Sequence, residues 1–149
     1  MNKKSDSVRV VDIARPSEAS TCSLPEFSAH VQAGFPSPAD DYIERQLDLH
    51  ELMVAHPAAT FFVRVQGDSM RDAGIQSGDI LVVDRSVEAV SGKIVVAVID
   101  GEFTVKRFVI SSDGPYLLPE NSAYPKLKIE ENTEFQIWGV VQYVIHKTV

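Results

Sequence analysis

From residue 60 onward the chain is a succession of short runs rich in Val, Ile and aromatic residues, separated by clusters of Gly, Pro, Asn and Asp. That punctuation leaves room for little besides antiparallel β-structure. Residues 60–66 alternate, with Phe61, Val63 and Val65 on one face and Phe62, Arg64 and Gln66 on the other. Further strands are expected over residues 80–84, 93–99, 102–110, 115–118 and 134–146. Between two of them stands Asp100-Gly101, a pair that predicts a tight two-residue hairpin. The last and longest strand, with Phe135, Ile137, Val141, Tyr143 and Ile145 among its apolar residues, suits a core or a dimer interface equally well.

Upstream of residue 60 the pattern changes. Ser37-Pro38-Ala39-Asp40-Asp41 reads as a helix start, with a hydroxyl cap, proline in the first turn and carboxylates that meet the helix dipole. Pro57 marks the expected end, and Tyr42, Ile43, Leu47, Leu49, Leu52 and Met53 form a roughly helical apolar stripe between them. Residues 1–35 show no sustained period and read as an extended arm. Val8, Val10, Val11 and Ile13, followed by Pro16, cannot supply the two or three helices of a DNA-reading module.

A length of 149 residues allows one domain with an ordinary core plus a tail. The net charge of −7 argues against a broad basic surface for nucleic acid and favours a protein partner. No apolar window approaches the roughly eighteen residues of a membrane span, and no signal-peptide core follows Lys3 and Lys4, so a cytoplasmic protein is expected. Cys22 is the sole cysteine, which excludes an internal disulfide framework.

Two residues carry chemistry. Ser69 lies in Gly67-Asp68-Ser69-Met70, and Lys106 falls on the strand that follows the Asp100-Gly101 turn. A serine hydroxyl becomes a nucleophile when a neighbouring base takes its proton, and a lysine in an apolar strand can be that base. Thr104, Phe108 and Ile110 share a face with Lys106, while Phe103, Val105 and Val109 line the other. Lost hydration on both sides should lower the amine from its ordinary value of about 10.4. Each residue also has a plain structural reading: the serine as part of a polar turn, the lysine as a charge protecting an edge strand. Ser69-Met70-Arg71-Asp72 lacks the lysine of a Ser-x-x-Lys motif. His30, His50, His56 and His146 leave a Ser-His-Asp triad open, but none lies in a recognisable motif or in the His-x-x-x-His spacing of a zinc helix. Gly74, Gly78, Gly92 and Gly101 read as turn glycines, so neither metal nor cofactor is expected. Ala33-Gly34, two small residues in a segment of weak local preference, could thread past a nucleophile, and the chain therefore reads as one that cuts itself.

The stretch from Phe35 to Tyr42, Gly67-Asp68-Ser69-Met70, the run from Gly78 to Asp84 and the run from Asp100 to Lys106 together resemble the LexA/UmuD family of self-cleaving Ser-Lys peptidases, distant relatives of signal peptidases. The resemblance implies a mainly β, LexA/signal-peptidase-like domain over residues 34–149, with several antiparallel strands and one helix near its start. An extended arm over residues 1–33 would be removed by self-cleavage. Carried over residue by residue, it implies Ser69 as nucleophile, Lys106 as base, Ala33-Gly34 as the scissile bond and the backbone amides of Asp68 and Ser69 as the oxyanion site. It further implies activation by a RecA filament on single-stranded DNA, and a shortened homodimer that joins a UmuC-type polymerase in translesion synthesis. Two other readings remain. One is a non-catalytic dimeric adaptor, against which the intact Ser69 and Lys106 weigh; the other is an SOS or prophage repressor, against which the absence of a DNA-reading module in residues 1–33 weighs.

Overall fold

Asp100 and Gly101 both adopt positive φ, 48° and 83°, and close a two-residue turn that sets Ile99 opposite Glu102. Asparagine, aspartate and glycine tolerate this conformation, and the turn's twist matches that of the strands it joins. Antiparallel pairings organise the computed structural model, which describes residues 7–17, 23–27 and 43–149. In chain order the elements are β1 (Arg9–Ala14), β2 (Ser23–Phe27), β3 (Ile43–Asp48), α1 (Leu49–Met53), β4 (Thr60–Gln66), β5 (Ile80–Asp84), β6 (Ile94–Ile99), β7 (Glu102–Ser111), β8 (Gly114–Leu118), β9 (Leu127–Lys128) and β10 (Phe135–Ile145). They fall into two compact units, Met1–Pro16 with His56–Val149, and Ser17–Ala55.

The larger unit is an antiparallel barrel in the order β1-β4-β5-β10-β6-β7, which the pairing of Arg9 with Thr104 closes between β1 and β7. β8 and β9 continue the sheet beyond β7. One apolar cluster joins Val63 and Val65 of β4, Leu81 and Val83 of β5, Val96 of β6 and Val105 of β7 to Val8, Met70 and Ile75. A second joins Val95, Ala97, Phe108, Leu117 and Val140. β6 contributes to both because alternate residues point to opposite faces, which is why its sequence is apolar throughout rather than alternating. Trp138 on β10 packs against Phe61 and Phe103, with the Arg85 guanidinium over its ring.

In the smaller unit β2 and β3 pair antiparallel, with Leu24 opposite Leu47. Here the expected helix over residues 37–57 is corrected: residues 43–48 are a strand, and only Leu49–Met53 is helical, while residues 37–42 lie outside the described residues. The Asp48 carboxylate caps α1 by accepting from the amides of His50 and Glu51 at 3.0 and 3.3 Å. The helix cap, Asp48, thus lies eleven residues after the Ser37 start signal. The backbone of β3 is satisfied by a partner strand, and Leu49 and Leu52 are exposed rather than forming a buried stripe.

The expected extended arm also contains a strand. β1 pairs with β4 from Arg9 opposite Gln66 to Ala14 opposite Phe62, across a bulge between Val10 and Asp12. The ladder of β10 to β6 has a bulge between Ile137 and Gly139, and Gly139 lies close against β5. A Cβ at Gly139 would lie 2.5 Å from Val83 Cγ1, a fully buried atom with nowhere to go. Gly139→Ala should therefore destabilise the fold by about 1–3 kcal/mol, read as a lower midpoint of chemical denaturation.

Candidate active site

The chain leaves β4 through Gly67, whose φ of 107° is open to glycine, and enters the turn that bears Ser69. Met70 anchors this turn from below, being wholly buried in the barrel core. A short 3-10 turn, Arg71–Ala73, follows, closed by Gly74 with φ of 83°. Ser69 is itself fully buried.

A distant segment, residues 120–124, holds the turn. The Glu120 amide donates to the Ser69 carbonyl at 2.8 Å, and the Glu120 carbonyl accepts from the Asp72 amide at 2.8 Å. Asn121 Nδ2 donates to the Asp68 carbonyl at 2.9 Å, and the Tyr124 hydroxyl donates to the Asp68 carboxylate. Glu120 is in turn paired with Arg107 on β7, next to Lys106. Glu120, Asn121 and Tyr124 escape a sequence reading because a polar loop beginning Pro119-Glu120-Asn121-Ser122 looks like any other turn.

Lys106 lies on β7 between Val105, which faces the barrel core, and the outward cluster that takes Phe108. It is only 8% exposed. Its Nζ donates to Ser69 Oγ at 3.1 Å, Ser7 Oγ at 2.7 Å, Thr104 Oγ1 at 3.1 Å and the Val105 carbonyl at 3.2 Å. The contact with Thr104 is the one expected of residues two apart on one strand face. Burial disfavours the ammonium and lowers Lys106 from 10.5 to about 8. Near pH 7.4 roughly a fifth of the amine is then neutral, against about a thousandth for an ordinary lysine. A neutral amine 3.1 Å from a hydroxyl can take its proton.

Ser69 Oγ also accepts from the Val8 amide at 2.8 Å and lies 3.5 Å from Ser7 Oγ. Neither Ser7 nor Val8 is foreseeable from the sequence, since they lie more than sixty positions away in an arm of no clear period. Two of the histidines are engaged elsewhere: His56 Nδ1 is 2.5 Å from Asp84 Oδ2, and His146 Nδ1 is 2.6 Å from Asp79 Oδ1. His30, Cys22 and the expected scissile pair Ala33-Gly34 lie outside the described residues.

The support under Ser69 makes a test. Asn121 is buried and is tied both to the Asp68 carbonyl and, through Oδ1, to the Ala123 amide at 3.0 Å. Asn121→Ala should cost about 1–3 kcal/mol in a denaturation titration by removing two part-buried hydrogen bonds, one to the Asp68 carbonyl and one from the Ala123 amide.

Residues 25–142 match the Peptidase S24-like family. Protein SamA of Salmonella typhimurium is 49% identical, covering 91% of this chain and 94% of its own length. Protein MucA of Escherichia coli is 49% identical over 89% of this chain and 92% of its own. LexA repressor 1 of Xanthomonas campestris is 44% identical over 111 residues, 74% of this chain and 54% of the repressor. A match over most of the chain, to the family and to UmuD-like relatives alike, settles the class. The chain belongs to the Peptidase S24-like family and is a UmuD-like self-cleaving serine peptidase of SOS mutagenesis.

Proposed function

We propose that Ser69 is the nucleophile and Lys106 the general base with which this chain cuts its own Ala33-Gly34 bond. The observation that carries the reading is the 3.1 Å separation of Lys106 Nζ from Ser69 Oγ, at an amine that burial has brought to about 8. Neutral Lys106 takes the Ser69 proton as Oγ bonds to the Ala33 carbonyl carbon. The resulting oxyanion is met by the backbone amides of Asp68 and Ser69. The Ala33-Gly34 bond then breaks, the Gly34 nitrogen leaves with the proton returned by Lys106, and Ala33 remains as an ester on Ser69. Water, deprotonated in turn by Lys106, hydrolyses that ester and restores the hydroxyl. The reaction separates residues 1–33 from residues 34–149.

The biological setting follows from the resemblance to the UmuD-like relatives. The protein acts in the cytoplasm as a homodimer, with neither membrane attachment nor sequence-specific DNA contact. A RecA filament on single-stranded DNA accelerates cutting by favouring the cleavable conformation over the resting one, without supplying a catalytic group. The shortened dimer serves a UmuC-type polymerase in error-prone synthesis across lesions.

The pH dependence checks the base. Only neutral Lys106 can accept the proton, so the rate of self-cleavage should rise about tenfold per pH unit from pH 6 and level off above about pH 8. A profile flat across this range would remove Lys106 from the role. Intact-mass measurement checks the nucleophile and the bond together: the wild type should release a fragment beginning at Gly34, and Ser69→Ala should stay whole at every pH.

A further inference from the structure

The groove between β4 and β7 is already filled. Val8 is fully buried in the barrel core, its carbonyl accepts from the Val105 amide at 3.3 Å and Thr104 Oγ1 at 3.1 Å, and its amide donates to Ser69 Oγ. The strand continues as β1, and Arg15 reaches over the Phe61 ring, 4.9 Å from its centroid. We propose that this groove is a binding site for an extended peptide, that residues 7–14 are its resident ligand, and that they must leave before the scissile segment can react. The proposal rests on Ser69 and Lys106 being the dyad that cuts Ala33-Gly34.

Geometry makes the resident an inhibitor rather than a substrate. A reacting carbonyl carbon must come within roughly 3–3.5 Å of the nucleophile, with the attacking lone pair aimed at its face. The Val8 nitrogen, 2.8 Å from Ser69 Oγ, occupies that approach. Because Oγ lies along the Val8 N–H, it lies near the plane of the Ser7-Val8 peptide and cannot attack its face. A hydroxyl oxygen accepts two hydrogen bonds, and here both come from the Val8 amide and the Lys106 amine. Ser7 Oγ meanwhile takes the shortest bond that Lys106 makes, at 2.7 Å, and so holds the base as well as the nucleophile.

The ligand is also built to come out. Of the six residues of β1, only Val10 is partly buried, and the other five are exposed, in contrast to β4, where Thr60, Val63 and Val65 are buried. The bulge between Val10 and Asp12 interrupts its ladder to β4, and its link to β7 is one residue pair. Val8 is the single deep anchor. The groove thus selects an extended peptide with a β-branched or similar aliphatic residue at the Val8 position, and competition for it sets when the chain cuts.

A disulfide lock tests this. Arg9 and Gln66 are exposed residues directly opposite each other on β1 and β4, so Arg9→Cys with Gln66→Cys, in a Cys22→Ser background, can staple the resident strand in place. Two rates are measured on the oxidised and reduced forms of this full-length protein: self-cleavage at alkaline pH, and labelling of Ser69 by a small fluorophosphonate. The oxidised form should be slower than the reduced form by about tenfold or more in both. Equal rates of cutting in the two forms would overturn the proposal. Should neither form cut, the labelling rates decide separately: slower labelling of the oxidised form keeps the occupied groove while the dyad assignment to Ala33-Gly34 falls, and equal labelling overturns both. Val8→Ala, which weakens the anchor without a crosslink, should cut several-fold faster than wild type; slower cutting with an unchanged melting temperature would also overturn it.

Discussion

The contact between Lys106 Nζ and Ser69 Oγ exists only because an amine has been buried in a sheet, and much of the barrel is arranged to make that burial tolerable. A lysine on an ordinary half-exposed strand keeps its hydration and its proton. β7 escapes that condition because the sheet is covered on both sides, by the core cluster at Val105 and by the second cluster at Phe108. The second cluster in turn needs β6 and β10 to be apolar where a simple barrel would be polar, and needs β8 to bring Leu117 over them. Four oxygen acceptors then surround the ammonium, so the charge is stripped of water but not of partners. The loss of water lowers the amine to about 8.

The serine is held by different means. Nothing in Gly67-Asp68-Ser69-Met70 by itself fixes where Oγ points, because a polar turn on the surface has many states of similar energy. The turn acquires one geometry from below, where Met70 is buried, and from the side, where Glu120, Asn121 and Tyr124 take up the backbone of Ser69 and the backbone and carboxylate of Asp68. Arg107 connects the same segment to the strand that carries Lys106. Lys106 Nζ is oriented by Thr104 Oγ1 and Ser7 Oγ as well as by the strand that carries it.

What could be read from the residues and what could not divides along the range of the interactions. β4 and β5 have the bounds that alternation and apolar content indicate, and β6, β7, β8 and β10 differ by a residue or so at their ends. Each is paired with a neighbour through local hairpins or carries its own period, as with Asp100-Gly101. β1 was hidden because its bulge breaks the two-residue period, five of its six side chains are exposed, and its partners lie some fifty or more positions away. β3 reads as helix from the sequence because Ile43, Leu47 and Leu49 satisfy a helical stripe as readily as they accompany a strand, and only pairing with β2 decides between them. Ser69 and Lys106 were visible as residue types in motif and turn context; the groups that support and occupy the site come from segments with no local signal.

The position of β1 before the expected scissile bond gives cutting a structural consequence beyond the loss of a tail. While the chain is whole, β1 is tethered to the barrel it closes, and its return to the groove is an intramolecular event at high effective concentration. If the chain is severed at Ala33-Gly34 as proposed, the same strand becomes a separate peptide whose hold depends on Val8, a partly buried Val10 and an interrupted ladder. Dilution then favours its departure. The edges of β4 and β7 that it covered would carry unpaired amides and carbonyls, the kind of surface to which an extended segment of another chain adds by strand pairing. In such a scheme the peptidase does not need a second substrate, because one turnover removes the ligand that had kept both its dyad and its groove closed.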